Sequence, residues 1–375
     1  MMIRALGMMS GTSMDGVDAA MIETDGIRIG GFGRSDFRAT SDNEAAVLHD
    51  ALGRWPDEPG VTGAAEIAVA SHAALAANFP EAGLIGFHGQ TLAHDPRGRG
   101  THQAGDGAEL ARRTGRPVVW DFRSEDVRQG GEGAPLVPFF HWACAEWAVG
   151  QGRLPAAPVA FLNLGGVGNI TWVDPAAPAP EASGACLAFD TGPANAPIND
   201  LMRARLRKPY DAGGALAARG QVDDAIIAAF LSHPFFDRQP PKSLDRDQFA
   251  GLVAAVQPLA DADAAATLVA AVAGSVAAGM RWLPSPPKAL LVCGGGRRNP
   301  QIMASLQGVV QAEVQPVEAV GLDGDMLEAQ AFGWLAVRVQ RGLPTSGPMT
   351  TGVPAPVCGG RISHPRQSSA RGWQG

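Results

Sequence analysis

One pattern occurs twice in this chain and constrains its fold more than any other feature. Near the start, an apolar run from Ile3 to Met9 reads as a strand, a turn rich in Ser, Thr, Gly and Asp follows, and Val17 to Ile22 reads as the returning strand. In the middle, Val159 to Leu164 is again an apolar strand, Gly165-Gly166-Val167-Gly168-Asn169 a glycine turn, and Ile170 to Val173 the partner strand. A third strand follows each hairpin: Ile27 to Phe32 after the Asp25-Gly26 turn, and Cys186 to Phe189 after a loop rich in Pro and Ala. The repeat predicts two α/β lobes with a cleft between them, each lobe offering a hairpin tip suited to a polyphosphate.

Glycine lets backbone N–H groups face outward, and the hydroxyls of Ser10, Thr12 and Ser13 add donors. The first turn therefore either holds an anion such as a nucleotide phosphate or is an ordinary polar turn. It is not a P-loop. Gly11 and Gly16 have the right separation, but Val17 and Asp18 stand where Lys and Ser or Thr are needed.

Composition narrows the partners. The 375 residues suffice for two cores, and the net charge of −7 comes from 37 acidic against 30 basic side chains with no basic block. Nucleic acid and anionic membrane are thus poor partners, and a small molecule is expected instead. Met1-Met2-Ile3-Arg4 runs straight into the first strand without a signal-peptide pattern, which predicts a cytoplasmic protein. The most apolar stretch, Ala264 to Leu283, carries Thr267, Ser275 and Arg281 and reads as a buried helix rather than a membrane span. Cys144, Cys186, Cys293 and Cys358 are scattered with no CxxC pair, so buried thiols are expected rather than zinc or disulfides.

Along the chain, Ser41 and Glu44 form a capping box for a helix through Leu52, and an alanine-rich helix runs from Ala64 to Asn78. Leu84 to Phe87 predicts a buried strand ending on His88-Gly89-Gln90-Thr91, where His88 is either a hydrogen-bonding structural residue or a functional one. Past the next strand, Arg123 either steadies a phosphate or sugar carboxylate or pairs with Asp126. Gly150 to Pro158 is the expected boundary, giving lobes 1–150 and 151–361 and a disordered tail over 362–375. In the second lobe Asp190, at a strand end before Gly192-Pro193, either points into the cleft or caps the next helix. Ala289 to Cys293 is a strand ending in Gly294-Gly295-Gly296, with Asn299 as cap and Pro300 as first residue of a helix through about Gln307, a combination suited to a nucleotide. Glu328 lies in the first turn of a helix over 327–341, where it either complements the helix dipole or reaches a ligand.

Taken jointly, several of these stretches resemble one family. They are Gly7-Met8-Met9-Ser10-Gly11-Thr12-Ser13-Met14-Asp15-Gly16-Val17-Asp18, Phe87-His88-Gly89-Gln90-Thr91, Asp121-Phe122-Arg123, Gly133-Ala134-Pro135-Leu136-Val137-Pro138, Asn163-Leu164-Gly165-Gly166, Phe189-Asp190-Thr191-Gly192-Pro193, Pro241-Lys242-Ser243 and Val292-Cys293-Gly294-Gly295-Gly296. In order and spacing, over residues 3 to about 360, they are similar to the anhydro-N-acetylmuramic acid kinases. The resemblance implies an α/β, actin/hexokinase-like fold of two ribonuclease-H-like lobes around an ATP cleft. It implies conversion of 1,6-anhydro-N-acetylmuramic acid, ATP and water into N-acetylmuramic acid 6-phosphate and ADP, in peptidoglycan recycling, by a cytoplasmic homodimer.

By the same resemblance Asp190 is the base. Gly11, Thr12, Ser13, Met14, Asp15, Gly16, Val17 and Asp18 form the first phosphate segment, and Asn163, Gly165 and Gly166 the second. Gly294, Gly295, Gly296 and Asn299 form the adenosine wall, and Arg123, His88 and Glu328 contact the sugar. Mg2+ is expected on the phosphates, largely through water, with Asp15 or Asp18 as outer partners.

Three positions depart from the family pattern: Ala194 replaces a glycine, Glu132 a glutamine, and Glu125 stands where some members have arginine. The Cβ at 194 puts the loop geometry in question, and the glutamates add negative charge near a phosphate site. Two other readings stay open for the same residues. One is a kinase of another amino sugar on the same fold; the other is an actin-like, nucleotide-dependent switch or filament protein.

Overall fold

Apolar runs bounded by glycine turns form strands that assemble into two sheets with one shared order. A computed structural model describes residues 1–11, 13–244 and 246–365, and it divides the chain into Met1–Phe140 with the stretch from Met326, and His141–Asp325. The first unit holds β1 (Ile3–Ser10), β2 (Gly16–Thr24), β3 (Ile29–Ala39), β4 (Leu84–Asp95), β5 (Gly100–Ala104), β6 (Val118–Trp120) and, from the C-terminal stretch, β12 (Arg361–Ser363). The second holds β7 (Val159–Leu164), β8 (Val167–Val173), β9 (Cys186–Pro193), β10 (Ala289–Cys293) and β11 (Glu313–Pro316).

In the first sheet the order is β12-β6-β4-β1-β2-β3, with β5 on β4. β1 runs antiparallel to β2 with Leu6 opposite Met21, and parallel to β4 with Leu6 opposite Ile85. The second sheet reads β11-β10-β7-β8-β9, with β7 antiparallel to β8 and parallel to β10. Thus β3-β2-β1-β4-β6 and β9-β8-β7-β10-β11 are one arrangement used twice, two ribonuclease-H-like units of an actin/hexokinase-like fold. The duplicated hairpins predicted the two α/β units, and the family resemblance implied the named fold.

Central strands β1, β4 and β7 are mostly apolar because both faces are covered. On one face of the first sheet Leu6 and Met8 pack with Val69, Leu75 and Phe79, at about 1.5–3 kcal/mol for each fully buried side chain. The other face carries the helix Leu327–Gln340, buried almost all round. Three glycines let it lie against the sheet backbone. A Cβ on Gly7 would fall 1.7 Å from the Ala329 carbonyl oxygen, one on Gly86 2.1 Å from that of Phe332, and one on Gly333 3.0 Å from the Gly7 nitrogen.

That notch corrects the expected boundary. The chain passes between units at 140–141 and 325–326, not at 150–158, and residues 326–361 belong with the first unit rather than the second. The tail also differs from expectation: Ile362 and Ser363 pair with Val119 and Val118 in β12 and β6. The remainder of that expectation, 366–375, lies outside the described residues.

In the second unit the helix Asp261–Met280 is long and apolar enough to cross a membrane. Its Ala264, Leu268, Val272 and Val276 are instead core residues, packed with Phe189, Ile198 and Phe236.

Candidate active site

The first turn is tied down from β4. Ser10 Oγ donates to Gln90 Oε1, and Gln90 Nε2 donates to the Gly11 carbonyl at 3.1 Å. Met14 N–H closes the turn onto the Gly11 carbonyl at 3.2 Å, and Ser13 Oγ donates to Asp15 Oδ1 at 2.7 Å. Met14 adopts a left-handed φ of 56°, which costs about 1–2 kcal/mol for a residue with a side chain. Its side chain offsets that cost by packing with Leu48, Val61 and Leu92. Met14 and Val17 are thus spent on the core, and Asp18 sits half-buried in β2 opposite Met9. Thr12 lies outside the described residues.

The glycines sort into two kinds. Gly16, Gly294 and Gly296 are required by the protein itself: a Cβ would come 2.3 Å from the Phe37 ring, 2.3 Å from Asn163 Oδ1 and 2.5 Å from Leu164 Cβ respectively. Gly11, Gly165, Gly166 and Gly295 meet nothing closer than 3.4 Å and have no left-handed φ. Neither packing nor backbone conformation demands glycine there, which leaves space for a ligand to approach. Gly31 and Gly308 are equally unconstrained, so the space permits a ligand without identifying one.

Beyond the second turn, Ala194 and Asn195 donate their N–H groups to the Gly166 and Gly165 carbonyls at 3.1 and 2.9 Å, and Asn195 Nδ2 donates to the Leu164 carbonyl at 2.7 Å. Ala194 has φ −127° and ψ −114°, outside the usual helical and extended regions, and buries its Cβ in the second core. Arg297 Nη1 donates to the Gly294 carbonyl at 3.0 Å while Glu318 and Asp325 pair with its guanidinium. Asn299 caps the helix Pro300–Val309, its Oδ1 accepting from Gln301 and Ile302 N–H. That cap accounts for Asn299 without a ligand.

Asp190 does not end its strand; β9 continues through Pro193, and the helix that follows, Asn195–Leu206, has Ala194 at its N-cap with no side-chain cap. Capping is therefore excluded. Asp190 N–H donates to the Lys242 carbonyl at 3.0 Å, and Leu244 N–H donates to Asp190 Oδ2 at 2.8 Å. Burial pushes the carboxyl up to about 6, with the Leu244 N–H pulling the other way. A carboxylate so placed is ionised at neutral pH and a better proton acceptor than an ordinary aspartate. A cavity of about 240 Å³, bordered by Gly166, Pro193, Ala196, Asp200 and Leu244, adjoins both this carboxylate's clip and the second turn. A larger apolar hollow of about 440 Å³ between the helices Asp224–Leu231 and Ala250–Ala255 holds none of the candidate residues.

In the first unit the structure gathers His88, Arg123 and Glu328. The strand does not end on His88 as expected: β4 runs on to Asp95, kinked where Gly89 takes φ 77°. His88 is buried, and Arg123 donates Nε to its Nε2 at 3.0 Å and Nη1 to the Gly133 carbonyl at 2.8 Å. Burial lowers the Arg123 guanidinium to about 10, with Glu328 and Asp126 opposing. The crowded surroundings push the Glu328 carboxyl above its ordinary value against the pull of Arg123, although much of its surface stays open to water. Asp126 is not the ion-pair partner of Arg123. It is fully buried and accepts from Gly133 N–H at 2.7 Å, Thr351 Oγ1 at 2.6 Å and Ser346 Oγ.

The two extra glutamates are each neutralised locally, Glu132 by Arg97 and Glu125 by Arg128. Gln90, Lys242 and Leu244 were given no role by the sequence reading. Gln90 is the one amide side chain in its strand; Lys242 and Leu244 reach Asp190 through a backbone carbonyl and N–H, contacts that residue type does not signal.

Residues 61–365 match the profile of the anhydro-N-acetylmuramic acid kinase family. A protein of Cereibacter sphaeroides named anhydro-N-acetylmuramic acid kinase is 65% identical over 361 residues, 96% of each chain. One from Jannaschia, anhydro-N-acetylmuramic acid kinase 1, is 58% identical over 96% of this chain and 95% of its own. Solved structures are more distant: a ROK family glucokinase from Streptomyces griseus, in complex with glucose and AMPPNP, is 13% identical over 89% of this chain and 99% of that one at TM-score 0.42, too far to carry residue roles. The chain belongs to the anhydro-N-acetylmuramic acid kinase family.

Proposed function

We propose that this kinase opens 1,6-anhydro-N-acetylmuramic acid with water and phosphorylates O6 from ATP, in peptidoglycan recycling. In the anhydro sugar O6 is bonded to C1, so no 6-hydroxyl exists until that bond breaks. Asp190 takes a proton from water, the water oxygen bonds to C1, and the C1–O6 bond breaks with its electron pair left on O6. O6 then bonds to the γ-phosphorus, and the bond from phosphorus to the bridging oxygen breaks with its pair leaving on ADP. The products are N-acetylmuramic acid 6-phosphate, ADP and the proton held on Asp190. The observation that carries this reading is the Asp190 carboxylate, fixed by the Leu244 N–H and raised to about 6 by burial.

The remaining roles belong to the same proposal. The 11–18 turn takes phosphate through its backbone N–H groups, Gly165 and Gly166 do so in the second unit, and Gly294 to Gly296 flank the nucleoside; the Ser10 and Ser13 hydroxyls already donate to Gln90 and Asp15. Arg123, held by His88, and Glu328 contact the sugar. A cation would be held by phosphate oxygens and water, with Asp15 or Asp18 as outer partners. When bound, Mg2+ supplies charge neutralisation at the β- and γ-phosphates. On the resemblance alone, the enzyme is proposed to act as a cytoplasmic homodimer.

Asp190→Asn tests the central role. The variant keeps ATP binding and loses roughly 10²–10⁴ in turnover of the anhydro sugar; near-normal turnover in a folded variant contradicts the proposal.

A further inference from the structure

Lys242 is 6% exposed, yet its ammonium meets carbonyls and aromatic rings. Nζ donates to the Phe235 carbonyl at 3.1 Å and lies 3.5 Å from that of Phe236. It stands 4.4 Å from the Phe235 ring centroid, 5.7 Å from Phe189 and 5.9 Å from Trp282. Taking an ammonium out of water costs several kcal/mol, so an apolar side chain of similar length would fill this space at lower cost. Packing alone does not account for a lysine here.

Its backbone shows what the lysine holds. The Lys242 carbonyl accepts the Asp190 N–H at 3.0 Å, and two residues on Leu244 N–H reaches Asp190 Oδ2 at 2.8 Å. Residues 242–244 clip β9 at the proposed base. The Lys242 side chain meanwhile runs by the ring of Phe189, the residue before Asp190, to the short turn Pro234–Asp237. That turn is itself fixed, because the Phe236 carbonyl also accepts from Arg281 Nη2 at 2.6 Å and Trp282 Nε1 at 3.2 Å.

We infer that Lys242 is a positioning residue for Asp190: its side chain moors the 242–244 segment so that the Leu244 N–H stays on the carboxylate. This rests on Asp190 being the base. The charged groups facing Lys242 are Asp237, Arg238 and Arg281. Burial, helped by the two arginines, lowers its ammonium to about 8, so it remains mostly charged at neutral pH.

The test is Lys242→Met in the full chain, with ATP affinity, a thermal melt and the pH dependence of kcat on the anhydro sugar read together. The variant is expected to bind ATP within about twofold of wild type and to lose roughly tenfold or more in kcat, the scale for a misplaced reacting group. The acid limb of its profile moves to higher pH, since losing the Leu244 N–H removes a bond that favours the charged carboxylate. Lys242→Arg, which keeps charge and donors, restores most of both. An unmoved limb in folded Lys242→Met overturns the inference, and if that variant does not fold, Lys242→Gln is read the same way. Asp190→Asn separates the two failures: normal turnover there removes the base itself, whereas an inactive Asp190→Asn beside an unmoved limb removes only the role of Lys242.

Discussion

Arg123 Nε donates to His88 Nε2 at 3.0 Å, and the other ring nitrogen, Nδ1, lies 2.8 Å from the Gly89 carbonyl. One nitrogen must accept and the other must donate, so the imidazole is the neutral Nδ1–H tautomer. Burial and the Arg123 charge both hold its pKa well below the usual histidine value. His88 thus serves to orient Arg123 and is no proton carrier.

It follows that His88 does not titrate in the usual histidine range. Its ring resonances in a histidine NMR titration are expected to show no midpoint near 6.5; a midpoint there contradicts the assigned tautomer.

The Asp190 carboxyl, raised from 3.8 to about 6, sets a kinetic limb. A base works ionised, so kcat holds above pH 6 and falls about tenfold per unit below it. The stability linkage has the opposite sense: a raised carboxyl favours the folded state fully below 3.8, and that contribution is lost as pH rises through 6. A pH–rate profile flat from 7 down to 5 contradicts the assignment.

Gly11 and Gly7 separate ligand space from packing. At Gly11 a Cβ meets only Ser13, at 3.4 Å, so Gly11→Val is expected to melt near wild type while its ATP dissociation constant rises about tenfold or more. An unchanged constant removes the turn from the phosphate site. Gly7→Ala places its Cβ 1.7 Å from a backbone oxygen of the helix Leu327–Gln340 and should destabilise by about 3 kcal/mol or more.

Asp126 joins the 131–133 loop to the C-terminal stretch through Gly133, Ser346 and Thr351. Asp126→Ala strands these donors in the interior and is expected to cost about 3–5 kcal/mol, read as a lower melting temperature. A melt within a degree of wild type contradicts this account of the loop.

The sheets were legible because strand, glycine turn and strand are local patterns, and β1 with β2 and β7 with β8 carry them within the short stretches Ile3 to Thr24 and Val159 to Val173. The assignment of the helix Leu327–Gln340 to the first unit was not, since it depends on Gly7 and Gly86 meeting the helix at Ala329, Phe332 and Gly333, residues far along the chain. The same applies within the site. Motif order pointed to Asp190, Arg123 and the glycine turns. The Asn299 cap was legible, since Asn before Pro is a local pattern, but motif order could not show that Met14 turns inward or that His88 serves Arg123, because each depends on a neighbour distant in sequence or on backbone geometry.

The most direct measurement of the central claim is ADP release from MgATP with 1,6-anhydro-N-acetylmuramic acid, beside N-acetylmuramic acid and a control without sugar, with the product weighed by mass spectrometry. Coupled ring opening and phosphorylation predicts turnover with the anhydro sugar alone, and a product heavier than that sugar by one phosphoryl group and one water. Equal turnover with the open sugar or with none, or a phosphorylated product lacking the added water, contradicts it.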